Sequence, residues 1–470
     1  MEELDPESIK SPQDILDFTA KTYESDPAVS YGGNVWSYKQ LWDMVNSLST
    51  SMRENFGMKK GQRVLLVLPP SIQMVLSYFS LWRNGVSAIP LDIKTPLSLM
   101  DKIASSGKIS GIITYDSLFS HINRNDTSNI YNILTGAEEF RGILSGKNPD
   151  MENLRMRGTR QRAVFEEMCY SEWKESEHID PFTDIALSEI QWRKDSSFGF
   201  LNFIHRKFTA SIRESAKIFQ ARKNQPFLVT KEPTSLMEII CEMILPIMNG
   251  QKLVMIEDIE KNLEKNINSN GLEDNVIIWA GRNTMDLMRS IKGKTLPRIS
   301  IILSNYAWNE DEISFLEKKK SSLISLEGYE GVGIPIMQRQ FIAGQKAQSN
   351  FLMEMEEGNG PVLRIPPDFV CDRYESDTGY YTIDKIERDS MKLIDQNNEL
   401  LYLHRGRSIP IKGLSEYLEE NYKIHNCSFA QDLLDWRLLD LSFSPKGAKI
   451  EIEKFNKSGP SFLTPIKIVE

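Results

Sequence analysis

The residues best able to ligate metals or act as nucleophiles are few and scattered in this sequence. Its five histidines, His121, His178, His205, His404 and His425, stand at no spacing that would gather two of them around a metal. The four cysteines, Cys169, Cys241, Cys371 and Cys427, form no C-x-x-C pair and read as buried free thiols of a reducing compartment. Neither a Ser/His/Asp nor a Cys/His set can be assembled from residue order. The most informative stretch is Asp184–Phe219. An apolar segment, Ile185–Ile190, enters a polar turn, Gln191–Gly199. A short apolar run follows, then a helix with Phe208, Ile212, Ala216 and Phe219 on one stripe. Strand, turn, strand, helix is a layout in which nucleotide enzymes hold a phosphate: glycines let backbone N–H groups reach the anion, and a lysine adds charge. This turn has one glycine, Gly199, at its far end. Bulky Trp192 and Phe198 sit where the backbone would have to approach a ligand. The scaffold suggests nucleotide chemistry, whereas the residues on it suggest that the nucleotide site has decayed.

The elements that would position this turn are legible on its N-terminal side. Asp14–Tyr23 carries a helical apolar stripe, and Ala28–Tyr31 and Val35–Tyr38 read as strands joined by a Gly32-Gly33-Asn34 turn. Lys39–Phe56 is a long amphipathic helix that Gly57 ends. Val64–Leu68 is a continuous apolar run of the kind a central parallel strand needs, followed by the helix Gln73–Asn84 and strands at 88–91 and 109–115. Strands alternating with helices imply a parallel α/β sheet. Residues 117–183 are polar and aperiodic, and read as loops and short helices covering the sheet. Strands are expected again at 226–229, 252–256, 276–279 and 299–303, with helices at 236–248, 284–291 and 310–318. Leu438–Phe443 and Lys449–Lys454 are expected to form a hairpin around Pro445-Lys446-Gly447. A chain of 470 residues has room for two or three domains. The net charge of −9 offers no dominant basic surface to nucleic acid. An acidic start, MEELDPESIKSPQD, without a signal core, and the lack of an apolar run of about 18 residues, predict a cytoplasmic protein with no membrane span.

Three segments carry a family resemblance. Trp36–Leu41 resembles T-Y-x-E-L, Gly61–Ser71 resembles G-D-R-V-a-l-x-l-p-N-S, and Leu81–Asp92, LWRNGVSAIPLD, resembles L-x-x-G-A-x-y-v-P-L-D. In this order and spacing they resemble the adenylate-forming superfamily of acyl-CoA synthetases, non-ribosomal peptide adenylation domains and luciferases. The resemblance implies an α/β protein with two stacked parallel-sheet subdomains and a β-rich subdomain. These make a large AMP-binding-like domain at residues 1–406, and a shortened α+β C-terminal domain follows at 407–470. It implies ATP and Mg²⁺ as cofactors, an acyl or aryl acid as ligand, and an acyl or peptidyl carrier protein or biosynthetic enzyme as partner.

The same resemblance tests the site residue by residue. Asp184, Ala186, His205 and Arg206 match the pattern around the family's phosphate loop without a gap, yet the loop positions 191–199 lack its glycines, threonines and lysine. Arg193 and Lys194 are the cations that remain there. An aromatic-histidine pair that lines the family's acyl pocket is replaced by Lys231-Glu232-Pro233. Tyr329 matches the adenine-stacking tyrosine, but Val332 and Gly333 fall on the family's phosphate threonine and magnesium glutamate. Asp389 by spacing, or Asp384 by local wording, stands for the ribose-binding aspartate, or both are plain strand or turn carboxylates. Arg405 belongs to the G-R hinge, and Lys467 is either the counterpart of the catalytic terminal lysine or an ordinary terminal residue. The leading expectation is a catalytically degenerate homologue that acts as a binding or scaffolding partner and uses no cofactor. The alternatives are an active acyl- or aryl-acid ligase with a divergent ATP site, and ATP-independent acyl transfer from a thioester.

Overall fold

The computed structural model describes residues 8–95, 97–106, 108–119, 130–136, 139–140, 165–192, 198–218, 225–256, 274–279 and 298–304. Beyond them it describes 314, 318, 322–327, 333, 337–341, 348–351, 355–356, 362–364, 380–387, 390–394, 403–404, 407–408, 427–432 and 435–441. The chain divides into two compact units. The first is Met1–Ser188, Asn202–Trp279 and Ile291–Ser300, and the second is Glu189–Leu201, Ala280–Ser290 and Ile301–Glu470.

The first unit opens with α1 (Pro12–Thr22), β1 (Pro27–Tyr31), β2 (Asn34–Ser37) and α2 (Tyr38–Phe56). Gly32 and Gly33 both take positive φ in the β1–β2 turn, a conformation that a side chain would strain. The N-terminus of α2 is closed by a capping box between Ser37 and Gln40, and left-handed Gly57 ends the helix. Then follow β3 (Arg63–Val67), α3 (Ile72–Arg83), β4 (Ser87–Pro90), α4 (Leu97–Ala104), β5 (Gly111–Tyr115), α5 (Asp116–Phe119), β6 (Tyr131–Thr135) and α6 (Phe165–Met168). Strands β7 (Ile185–Trp192) and β8 (Phe198–Ile204) lead into α7 (His205–Ile218). These strands form a sheet in the order β6-β5-β3-β4-β7-β8, with β3 parallel to both neighbours, as its apolar run predicts.

After β9 (Phe227–Val229) come α8 (Leu236–Ile239), a π-helical turn (Ile240–Ile244), α9 (Leu245–Met248), β10 (Leu253–Met255) and β11 (Asp274–Trp279). Strands of this unit make a second array, β11-β9-β10-β1-β2, parallel except for the β1–β2 hairpin. All of α3 is buried, which fits its nearly all-round apolar sequence. Its ring of Trp82 meets Tyr78, Phe79 and Phe208 of α7 at centroid distances of 5.2–5.4 Å. Three polar side chains of α3 find partners. Trp82 Nε1 donates to the Ala186 carbonyl, Tyr78 donates to the Pro233 carbonyl, and Arg83 pairs with Asp17.

Two expectations change here. The stretch 131–135, expected as loop, is β6, parallel to β5 over its full length. The helix expected at 236–248 is interrupted by the π turn, where the Leu245 N–H reaches back five residues to the Ile240 carbonyl. Pro246 has no N–H to offer Glu242, so the ladder shifts one residue just before it.

In the second unit, β12 (Arg298–Ser304) is parallel to β13 (Ser322–Glu327), which continues antiparallel into β14 (Met337–Phe341) and β15 (Gln348–Phe351). An antiparallel meander joins β16 (Met355–Glu356), β17 (Val362–Arg364), β18 (Tyr380–Glu387) and β19 (Ser390–Ile394). Two further pairs are β20 (Leu403–His404) with β21 (Arg407–Ser408), and β22 (Cys427–Asp432) with β23 (Asp435–Leu441). The expected strand at 438–443 overlaps β23, which pairs with β22. Residues 449–454 lie outside the described residues, as do 284–291. Among the described residues, no helix is long and apolar enough to cross a membrane.

Candidate functional site

The hairpin base that matches the family's phosphate loop is a locked structural foot. The His205 N–H donates to the Asp184 carbonyl at 3.0 Å and the Arg206 N–H to the Pro181 carbonyl at 2.8 Å, which fixes where α7 starts. The Asp184 carboxylate accepts the Asp180 N–H at 2.6 Å and pairs with Lys60 at 2.8 Å. His205 is fully buried, with Nδ1 2.8 Å from Ser11 Oγ, the N-cap of α1, and with no partner for Nε2 among the described residues. Burial pulls its pKa down to about 4, against the raising effect of Asp184. Arg206 lies over the Phe182 ring at 5.3 Å. Asp184, Ala186, His205 and Arg206, the flanking residues that match, all serve the folding of this foot.

In sequence, β7 and β8 and then α7 reproduce the expected strand–turn–strand–helix. Residues 193–197 of the turn lie outside the described residues. Phe198 is half-buried, and its ring meets that of Phe200 edge-on at 5.7 Å. A Cβ added at Gly199 would meet nothing within 4 Å, so no close neighbour requires a glycine there.

A second group of reactive side chains gathers at the carboxyl ends of β4 and β9, where open α/β sheets place their ligands. Lys231 donates to Glu238 at 2.6 Å and lies 3.8 Å from Glu242. Glu238 also accepts from the N–H groups of Thr234 and Ser235 and so caps α8. Glu242 sits in the π turn, fully buried. Burial pushes its carboxyl well above the usual range, with Lys231 opposing and Glu238 and Glu232 adding to the rise. Glu232 is pushed the same way by burial and then by Asp92, and its Oε1 accepts the Ile93 N–H at 2.8 Å.

The residues expected to contact nucleotide fall differently. Asp384 lies in β18, where the register with β19 shifts between Ile383 and Lys385, the position of the bulge residue. Tyr329, Asp389, Arg405 and Lys467 lie outside the described residues, as does Val332. The Asp92–Glu232–Glu242 group was not singled out as a site from sequence. Its one visible signal is a charged Glu242 inside the apolar run LMEIICEMILPIM, four residues before Pro246. The buried Cys169 and Cys241 have thiols pushed well up by burial, as structural cysteines do.

A family model described as AMP-binding enzyme matches residues 16–165. A long-chain-fatty-acid–CoA ligase of Yersinia pestis is 26% identical over 120 residues, which are 25% of this chain and 21% of that protein. The hybrid PKS-NRPS synthetase mpsA of Macrophomina phaseolina is 29% identical over 108 residues, 23% of this chain and 3% of that protein. The chain thus spans only about a fifth of the length of the ligase it matches. Among solved structures, an artificially fused adenylation–PCP di-domain NRPS from Klebsiella oxytoca, NpsA-ThdA, superposes with a TM-score of 0.64 at 12% identity. That likeness covers 98% of this chain and 94% of the other. The N-terminal domain of FACL13 from Mycobacterium tuberculosis gives 0.59 at 14%, over 83% and 98%. At these identities the structures speak for the fold alone, and they agree with the parallel sheets around α3. With the sequence match over 16–165 and the three ordered motifs inside it, they support membership of the adenylate-forming superfamily.

Proposed function

We propose that this chain binds rather than adenylates. In this reading it is a catalytically degenerate member of the superfamily that serves as a binding or scaffolding partner of carrier-protein biosynthetic enzymes, with an acyl or aryl acid as its small ligand. One observation carries the reading: the frame around the phosphate turn is intact while the turn residues are wrong for phosphate. An anion cradle needs small residues that bring N–H donors close. Here Trp192 and Phe198 flank the turn, and its one glycine, Gly199, has open space where a Cβ would go. These residues do not fit a triphosphate, so no step is routed through ATP. The fold likeness to an adenylation–PCP fusion supports a carrier protein as partner.

The family match favours one other reading, an active acyl- or aryl-acid ligase whose divergent ATP site draws on Tyr329, Asp384 or Asp389, Arg405 and Lys467. Carboxylate-dependent pyrophosphate exchange with ATP·Mg²⁺, together with calorimetric titration of ATP·Mg²⁺, separates the two. Losing even one oriented donor typically costs about 10²–10³ in rate, so loss of several leaves exchange at background. Exchange with any carboxylic acid that Lys467→Ala abolishes would establish the ligase instead. Thiol release from an acyl thioester without ATP would mark acyl transfer.

A further inference from the structure

Between α6 and β7 the chain is fastened along α2 as an irregular strap. The Lys174 N–H donates to Thr50 Oγ1 at 2.9 Å, and Arg53 donates to the Glu175 carbonyl at 2.9 Å. The hydroxyl oxygens of Ser51 and Ser171 lie 2.8 Å apart, and Lys60 donates to the His178 carbonyl at 3.0 Å. The ring of Trp173 meets that of Trp42 in α2 edge-on at 5.4 Å. Backbone groups and small hydroxyls thus hold the strap down, and its larger side chains face water. Of the four large apolar side chains exposed among the described residues, three belong to this strap: Tyr170, Trp173 and Phe182. Tyr170 and Phe182 are 63% exposed and Trp173 46%. Tyrosine and tryptophan are the side chains that interfaces favour, and a surface group of them marks a binding face.

The charge around these rings selects the partner. Glu172, Glu175 and Glu177 are exposed, and their carboxylates meet no cation among the described residues. Lys174, the one lysine or arginine from Tyr170 to Phe182, is already paired with Glu54 of α2. Nucleic acid and anionic lipid are repelled by such a surface, whereas a cationic segment is attracted to it. We propose that residues 170–178 are a docking surface for a partner protein, which binds through a segment carrying arginine or lysine beside apolar side chains. The apolar side chains of that segment cover Tyr170 and Trp173, and its cations meet the three glutamates at the rim. Because the bonds to α2 already order the strap, little freedom is lost when the partner covers it. The docking surface does not rest on the fate of the ATP site, since none of its residues belongs to the phosphate turn.

Fluorescence anisotropy of labelled peptides titrated with the full chain tests this. The probes are three synthetic peptides of equal length: alternating arginine and leucine, alternating arginine and serine, and alternating glutamate and leucine. The arginine–leucine peptide is expected to bind about tenfold more tightly than arginine–serine, and glutamate–leucine not at all. Both arginine peptides should weaken as salt rises. Tyr170→Ala is expected to remove the advantage of leucine over serine. Trp173→Ala should do the same, and Tyr170→Ala carries the test alone if loss of the Trp42 contact loosens the strap. Glu172→Gln with Glu175→Gln should weaken both arginine peptides and flatten their salt dependence. Glu24→Gln with Asp101→Asn makes the same change in net charge at exposed residues elsewhere and should leave binding as it was. Equal affinity for the two arginine peptides, an unchanged preference in Tyr170→Ala, or equal losses in the two charge variants would overturn the docking surface. Binding to phosphatidylserine vesicles that Tyr170→Ala abolishes would assign the face to a membrane instead and overturn it equally. Pyrophosphate exchange is untouched by any of these outcomes, so the docking surface and the ATP site stand or fall separately.

Discussion

At the scale of single residues, conformation and burial decide what can change. Gly250 has φ +65, and an added Cβ would lie 2.7–2.9 Å from ring atoms of Tyr23, which itself packs against Tyr38. Gly250→Ala combines left-handed strain with that clash and is expected to lower stability by about 1–3 kcal/mol in denaturant unfolding. Gly57 has the same sign of φ but open space around it, so Gly57→Ala carries only the conformational cost of about 1 kcal/mol. Equal losses at the two sites would show that the ring contact does not matter. Thiol chemistry follows the same logic. Cys169 and Cys241 are buried with raised pKa, so alkylation of the native protein, mapped by mass spectrometry, should spare both until the chain unfolds.

At the scale of elements, α3 sets the architecture of the first unit, with Trp82 at its centre. Trp82→Ala removes a large buried ring and the donor that satisfies the Ala186 carbonyl, so a loss of about 3–5 kcal/mol is expected. Trp82→Phe keeps most of the packing and should lose clearly less. If the two variants unfold at the same denaturant concentration, packing is not what Trp82 supplies. Elements of this kind were legible because burial on both sides demands an uninterrupted apolar sequence, as at Val64–Leu68 and in α3 itself. The five-residue β6 was not, because polar neighbours hide so short a strand and only pairing with β5 makes it one. Strand β22 was not legible either, because only its pairing with β23 makes it a strand. The foot of the phosphate turn was legible as a pattern, but its role was not. That Asp184 and His205 are occupied with Lys60 and Ser11 depends on partners 124 and 194 residues away. The Ile93–Glu232 hydrogen bond is invisible for the same reason.

At the scale of the whole molecule, buried titratable groups pull stability in opposite directions with pH. His205 is held neutral, with a folded pKa of about 4 against 6.5 unfolded. The unfolded chain therefore binds more protons between those values, so this contribution is complete above pH 6.5 and lost as pH falls toward 4. It amounts to about 3 kcal/mol. Glu242 has the opposite sign. Its folded pKa is raised well above 4.5, so the folded state binds the extra proton. Its contribution is complete below pH 4.5 and declines as pH rises toward the folded value. Glu232 adds to the same limb. The two windows overlap above pH 4.5, where the opposed slopes offset each other, so each contribution is read from the variant of its own residue. Glu242→Gln keeps the neutral shape in the π turn and should flatten the alkaline limb while leaving the acid one. His205→Gln should lower stability at neutral pH, since a buried side chain and the Ser11 contact change, yet should flatten the decline between pH 6.5 and 4. Unfolding midpoints in urea from pH 4 to 9 read both limbs on the full chain. An acid limb of unchanged steepness in His205→Gln would show that carboxylates elsewhere set it, and would remove His205 from the account.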